Sequence, residues 1–197
     1  MFVHLRLHTE FSVIDGTTRI DEVVKAAAAD DQPALAISDL SNLFGAIKFY
    51  KEGRKRGVKP LMGAEVWLEG LGKELGQLSR VLLLVQNKQG YLNLSELLAR
   101  AWTQNANKAQ ASVTLAWLTE LNTGLICLSG AQAGPVGQAL LQGDEARALD
   151  AALQLAGVFP HRFYLELQRA GRCAIGPAYA TAGGGHTPDS ISGSRRF

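Results

Sequence analysis

Short apolar runs and amphipathic stretches alternate along this chain from residue 3 to residue 167, and there the alternation stops. Residues 3–7, 34–38, 59–62, 65–68, 81–85, 125–128 and 163–167 are apolar runs of strand length. Between them Ile20, Val23, Val24 and Ala27 recur at helical spacing, and Tyr91, Leu94, Leu97 and Leu98 do the same. A further helix is predicted from Phe44 and Ile47 through the basic cluster Arg54, Lys55 and Arg56, with Gly57 as its left-handed stop. Thr18, three residues before Asp21, predicts a cap for the first helix. Residues 115–121 and 148–156 predict two more helices. Strands separated by helices of this length imply βαβ units and a parallel sheet, either closed as a barrel or open and doubly wound.

Composition fits such a fold. With 47% hydrophobic and 19% charged residues among 197, the chain can bury a core, which excludes global disorder. No run of about 18 apolar residues predicts a membrane span. The first residues lack the basic and apolar regions of an export signal, and two cysteines, Cys127 and Cys173, suit a reducing cytosol. A cytoplasmic protein is expected. Residues 1–171 carry 17 basic and 17 acidic side chains, so the net +2 comes from Arg172, Arg195 and Arg196 against Asp189. The pI near 8.6 is therefore poor support for nucleic-acid binding.

Residues 173–197 have another character, with Gly183, Gly184 and Gly185, two prolines and no amphipathic period. Such composition cannot offset its ordering entropy by apolar burial. A domain over 1–172 and a disordered tail over 173–197 are expected.

Chemistry-bearing side chains cluster after strand-like runs. His8 and Asp15 follow the first run, Asp39 follows the second, and Glu65 lies between the two extended stretches 59–62 and 65–68. One imidazole and three carboxylates at strand ends could hold a divalent cation. The same residues could equally serve turns and caps. The basic helix carrying Lys48, Lys51, Arg54, Lys55, Arg56 and Lys59 reads as a solvated helix end. Phe49 and Tyr50 within it read as core positions, and Cys127 as inert core.

The segment from Phe2 to Ser12 (FVHLRLHTEFS), followed by Asp15 and Gly16, resembles the opening of the PHP (polymerase and histidinol phosphatase) domain. In particular it is similar to the form that begins bacterial replicative DNA polymerase alpha subunits. The stretch from Pro33 to Asp39, then Asn42 to Gly45, Val58 to Glu65, Asn87 to Leu94, Gly124 to Gly130 and Arg162 to Leu167 continue the resemblance in unbroken order. It implies an α/β fold, a distorted (β/α)7 barrel whose active members bind metals at the strand ends and hydrolyse phosphoesters.

The resemblance also exposes departures. Metal-binding members have His where this chain has Arg6, Leu40 and Arg80, and Cys where it has Ala131. His8, Asp15, Asp39 and Glu65 remain as vestigial ligand positions. A guanidinium cannot ligate a metal, but it can supply a fixed positive charge. Arg6 or Arg80 is therefore expected to pair with Asp39, Asp15 or Glu65, with no bound metal and no catalytic residue. What the resemblance then implies is a scaffold and docking domain for a proofreading exonuclease and other replicase subunits, without direct DNA binding. A metal-dependent phosphoesterase is the alternative. Polymerase chemistry and its Mg would belong to a domain absent from this chain. Family resemblance ends near Arg172, so the barrel is expected to be incomplete at its C-terminal end and unstable alone. The tail is expected to be a frameshift product, a divergent truncated paralogue being the natural alternative.

Overall fold

A computed structural model describes residues 2–71, 78–107, 110–168 and 194–196. The first helix, α1 (Ile20–Ala29), buries Ile20, Val24 and Ala27 on one face. Its cap position is Arg19 with no side-chain hydrogen bond, so the predicted Thr18 cap does not form. Strand β1 (Ala34–Ile37) is buried along its whole length, as a parallel strand covered on both faces should be. Helix α2 (Ala46–Arg56) ends where predicted, at Gly57 with φ 77°. Strand β2 (Lys59–Glu69) joins the two predicted extended stretches into one.

Then come β3 (Ser79–Val85) and α3 (Lys88–Gln104), the latter capped by Asn87, whose side chain accepts from Gly90 N. Strands β4 (Ala106–Asn107) and β5 (Gln110–Thr114) follow, with α4 (Leu115–Leu121) and β6 (Leu125–Leu128) next. Helices α5 (Pro135–Leu141) and α6 (Glu145–Val158) lead to β7 (Phe163–Glu166). Within the segment 173–197, Ser194–Arg196 forms a short strand, β8, antiparallel to β7, where the composition predicted no structure. The rest of that segment lies outside the described residues.

The sheet runs β4-β5-β2-β3-β6-β7-β8, with β1 also paired to β2. Pairs β1–β2, β2–β5 and β6–β7 are parallel, as βαβ connections demand. Alongside these parallel pairs, β3 runs antiparallel to both β2 and β6. Residues 3–7 run extended along β1, joined by the hydrogen bonds Ala36 N to His4 O and Ser38 N to Leu7 O, each 2.9 Å.

Alternate side chains go to opposite faces of the strands. Leu82, Leu84, Ala36 and Leu128 form a small inner cluster with Leu5, Leu61, Ile126 and Tyr164. Val81 and Leu83 point the other way, into the larger cluster under the helices. An inner cluster drawn from the N-terminal segment and β1, β2, β3, β6 and β7 is the packing of a sheet curled toward a barrel. Among the described residues no backbone ladder joins the N-terminal segment to β7, so the sheet is open along that seam.

Candidate functional site

The C-terminal ends of β1, β2 and β7 and the N-terminal start of the reversed strand β3 meet at one end of the sheet. The register shows why: Trp67 of β2 lies opposite Arg80, and Leu40, just past β1, bridges to Glu65. Reversal of β3 is what brings Arg80, the second residue of its strand, to an end otherwise built from strand exits.

Glu65 is the centre of the group, with its side chain fully buried. Arg6 Nη1 donates to Glu65 Oε1. The same guanidinium grips Glu166 at the end of β7 in bidentate fashion, Nε to Oε1 and Nη2 to Oε2, both at 2.8 Å. Arg80 Nη1 lies 3.1 Å from Asp15 Oδ2 and 3.4 Å from Glu65 Oε2, while its guanidinium stacks 4.2 Å from the centre of the Trp67 ring. His8 stands between the two carboxylates, with Nδ1 2.9 Å from Asp15 Oδ1 and Nε2 3.0 Å from Glu65 Oε2. The second contact lacks hydrogen-bond alignment, which leaves His8 Nε2 buried with an electrostatic neighbour and, among the described residues, no hydrogen-bond partner.

These contacts set the charge states. Burial works against ionised Glu65, but the His8 contact and Arg6 outweigh it and hold the carboxyl below the usual range. For Asp15, burial is likewise outweighed, by the Ser12 hydroxyl, His8 and Arg80, and its carboxyl is also lowered. Burial opposes the His8 charge, yet Glu65 and Asp15 raise the imidazole above its ordinary value. Partial burial opposes the Arg6 charge too, yet Glu166 and Glu65 hold it more firmly protonated than a free guanidinium.

Both arginines thus find the carboxylates predicted for them, with Glu65 shared. Asp39 is different. It is 1% exposed, and both oxygens are taken by Thr9, Oδ1 from the backbone N at 2.6 Å and Oδ2 from the hydroxyl at 2.8 Å. Burial raises its carboxyl despite those bonds. Asp39 therefore fastens the N-terminal segment to β1 and makes no ion pair with either arginine. Leu40 is buried, and its N–H donates to Ser12 Oγ at 3.1 Å. Ala131 sits in a short 3-10 turn with φ 48° and contributes no polar side-chain atom. The residue missed in the sequence is Glu166. Its signal was available, an acidic side chain at the end of a strand like Asp39.

His8, Asp15 and Glu65 offer ligand atoms within 4.8 Å of one another. Three such donors could coordinate a cation, but two guanidiniums already lie against the same oxygens.

Comparison with known proteins agrees with this architecture. The family model described as PHP domain matches residues 4–170. The DNA polymerase III subunit alpha of Pseudomonas aeruginosa is 45% identical over 171 residues, 87% of this chain and 14% of that protein. Its counterpart from Escherichia coli K12 is 43% identical over 173 residues, again 87% of this chain and 15% of the relative. A solved structure from Bifidobacterium adolescentis, described as a metal-dependent phosphoesterase, superposes with a TM-score of 0.51 at 10% identity, covering 83% of this chain and 86% of its own. The chain thus spans about one seventh of the length of the polymerase subunits it matches.

Proposed function

The chain belongs to the PHP domain family, and from that premise we propose that it is a non-catalytic scaffold and docking domain of a cytoplasmic bacterial replicase. The observation that carries this reading is the placement of Arg6 and Arg80. Each stands where the family resemblance puts a metal ligand, and each pairs with a carboxylate that a metal would need. The residues present do not fit a metal in this arrangement. An incoming cation would meet Arg80 Nη1 on the oxygens of Asp15 and Glu65, and a second guanidinium on Glu65. Asp39 would have to release Thr9 as well.

The fixed guanidiniums supply the positive charge that the buried carboxylate requires, and they keep the strand ends in place without an ion. Docked partners are the proofreading exonuclease subunit and other replicase subunits. The similarity to DNA polymerase III alpha subunits supports this context. Template-directed polymerisation, with its Mg, belongs to the part of such subunits outside the matched region.

A metal-dependent phosphoesterase is the competing reading, favoured by the close approach of His8, Asp15 and Glu65. Metal analysis after incubation with Zn, Mn or Fe, together with hydrolysis of an aryl phosphate, separates the two. The scaffold reading expects substoichiometric metal and no hydrolysis. Stoichiometric metal that disappears in Glu65→Gln, with measurable turnover, overturns it. Co-purification with the proofreading exonuclease tests the docking half.

A further inference from the structure

Beside the charged group, Val13, Ile14, Leu40, Ser41, Asn42, Phe44, Trp67 and Trp102 line an apolar cup of about 220 Å³. Its rim is unusually open to water for such side chains: Val13 is 88% exposed, Ile14 65% and Phe44 74%. Ser41 lies at the cup with φ 56°, a left-handed conformation that costs a serine energy. Its backbone is used, N to Glu65 O at 2.7 Å and O from Trp102 Nε1 at 2.8 Å. Among the described residues its buried hydroxyl has no hydrogen-bond partner.

The apolar rim continues onto α2. Ile47, 71% exposed, lies about one turn beyond Phe44, and half-exposed Tyr50 follows one turn later. Tyr50 is thus a surface residue, contrary to its predicted core position, while Phe49 alone packs inside. The same face then carries exposed Lys51 and Arg54, each four residues on, from Ile47 and Tyr50 respectively. Neither makes an ion pair among the described residues. Their neighbours Lys48 and Arg56 are neutralised by Glu10 and Glu52. An apolar cup next to two unpaired cations at about 10–15 Å along one helix is complementary to one kind of partner.

We infer that this surface docks a protein segment carrying one bulky apolar side chain followed, within one to three turns, by acidic residues. The apolar anchor fills the cup, and carboxylates lie along Lys51 and Arg54. The lining of Val13, Ile14, Leu40, Phe44, Trp67 and Trp102 is apolar, which suits an apolar side chain better than a nucleobase, whose polar edges would lose their hydrogen bonds there. The inference deepens the docking reading and rests on it for its biological setting.

The test is selection of a phage-displayed random peptide library against the 197-residue protein. Enriched sequences should share a Phe, Leu, Met or Trp followed by Asp or Glu. A fluorescein-labelled selected peptide should bind about tenfold or more weakly to Ile14→Asp and to Lys51→Glu/Arg54→Glu, and less tightly as salt rises. Circular dichroism confirms that each variant is folded; these side chains are exposed, so the fold should survive. Peptides without acidic residues, no enrichment, or binding indifferent to both variants overturns the inference. So does a labelled oligo-dT that binds the wild type and loses affinity in the same variants while no peptide is selected. If the exonuclease still co-purifies with Ile14→Asp at wild-type level, this surface is refuted and the docking reading stands. If the wild type captures no exonuclease, the docking reading fails and peptide selection alone decides the surface.

Discussion

Replacing Arg6 with Met removes three charged hydrogen bonds while leaving an unbranched side chain of similar length. Two of them hold Glu166 and one holds Glu65. The Glu65 side chain has no exposed area and that of Glu166 has 10%, while Arg6 retains 24%. Removing one partner of a buried pair costs about 3–5 kcal/mol. The lower end applies, because Arg6 is partly wet and His8 stays beside Glu65. A loss of about 3 kcal/mol in a domain of this size corresponds to a fall of roughly 6–12 °C in melting temperature.

The pH dependence sharpens the test. With the Glu65 carboxyl held low in the folded state, its contribution is fully present above the unfolded carboxylate value of about 4.3 and is lost as pH falls through the folded value. In Arg6→Met burial is less opposed, so Glu65 rises and becomes protonated on mild acidification. The gap between wild type and variant should narrow as pH falls from neutral toward the carboxylate range. Thermal unfolding followed by circular dichroism in both proteins measures it. A change under about 2 °C at neutral pH, or a gap that widens on acidification, would refute the clamp.

Four further outcomes are expected. Arg100 holds Glu120 as two-pronged a pair as Arg6 holds Glu166, but in solvent, so Arg100→Met should leave the melting temperature near that of the wild type. His8 is raised by Glu65 and Asp15, with Asp39 nearby; the stability it adds over His8→Gln should be full below its unfolded pKa and vanish as pH rises through the folded value, readable by urea titration at several pH values and by NMR of the imidazole. A Cβ at Gly90 would strike the carbonyl of Gly124, so Gly90→Ala should cost about 3 kcal/mol or more and reduce soluble yield. Cys127 is fully buried, which pushes its thiol far up; in a Cys173→Ser background a thiol reagent should label it only after unfolding.

Much of this fold could be read from hydrophobic period alone, because that period is set by local geometry. The helix Leu115–Leu121 and the strand Leu125–Leu128 fall where the pattern places them. Direction is another matter. Nothing within Ser79–Val85 records that its neighbours run the opposite way; that depends on how the chain between β2 and β3 returns. β5, with the sequence QASVT, was missed because its small and polar residues are buried by tertiary packing rather than by an apolar run. Thr18 fits a capping pattern, yet Arg19 takes the cap position and Thr18 O instead accepts from Glu10 N. At the site, residue types at strand ends pointed to His8, Asp15, Asp39 and Glu65, and the family resemblance added Arg6 and Arg80. They could not show that Thr9 would claim Asp39, nor that Glu166 would arrive from the far end of the domain. Tyr50 went astray because two consecutive aromatics on a helix face different sides, and one of them must face outward.

The clamp across the open seam joins positions 160 residues apart. On a ribosome adding about 5–20 residues per second, Arg6 waits on the order of ten seconds or longer before Glu166 has been made. Through that interval the N-terminal segment can lie along β1 and meet Glu65, but its second carboxylate does not yet exist. Closing a loop of that length is entropically costly and comes late. The charged cluster is therefore complete only once β7 has been made, and a nascent domain halted before β7 keeps one end of its sheet unfastened.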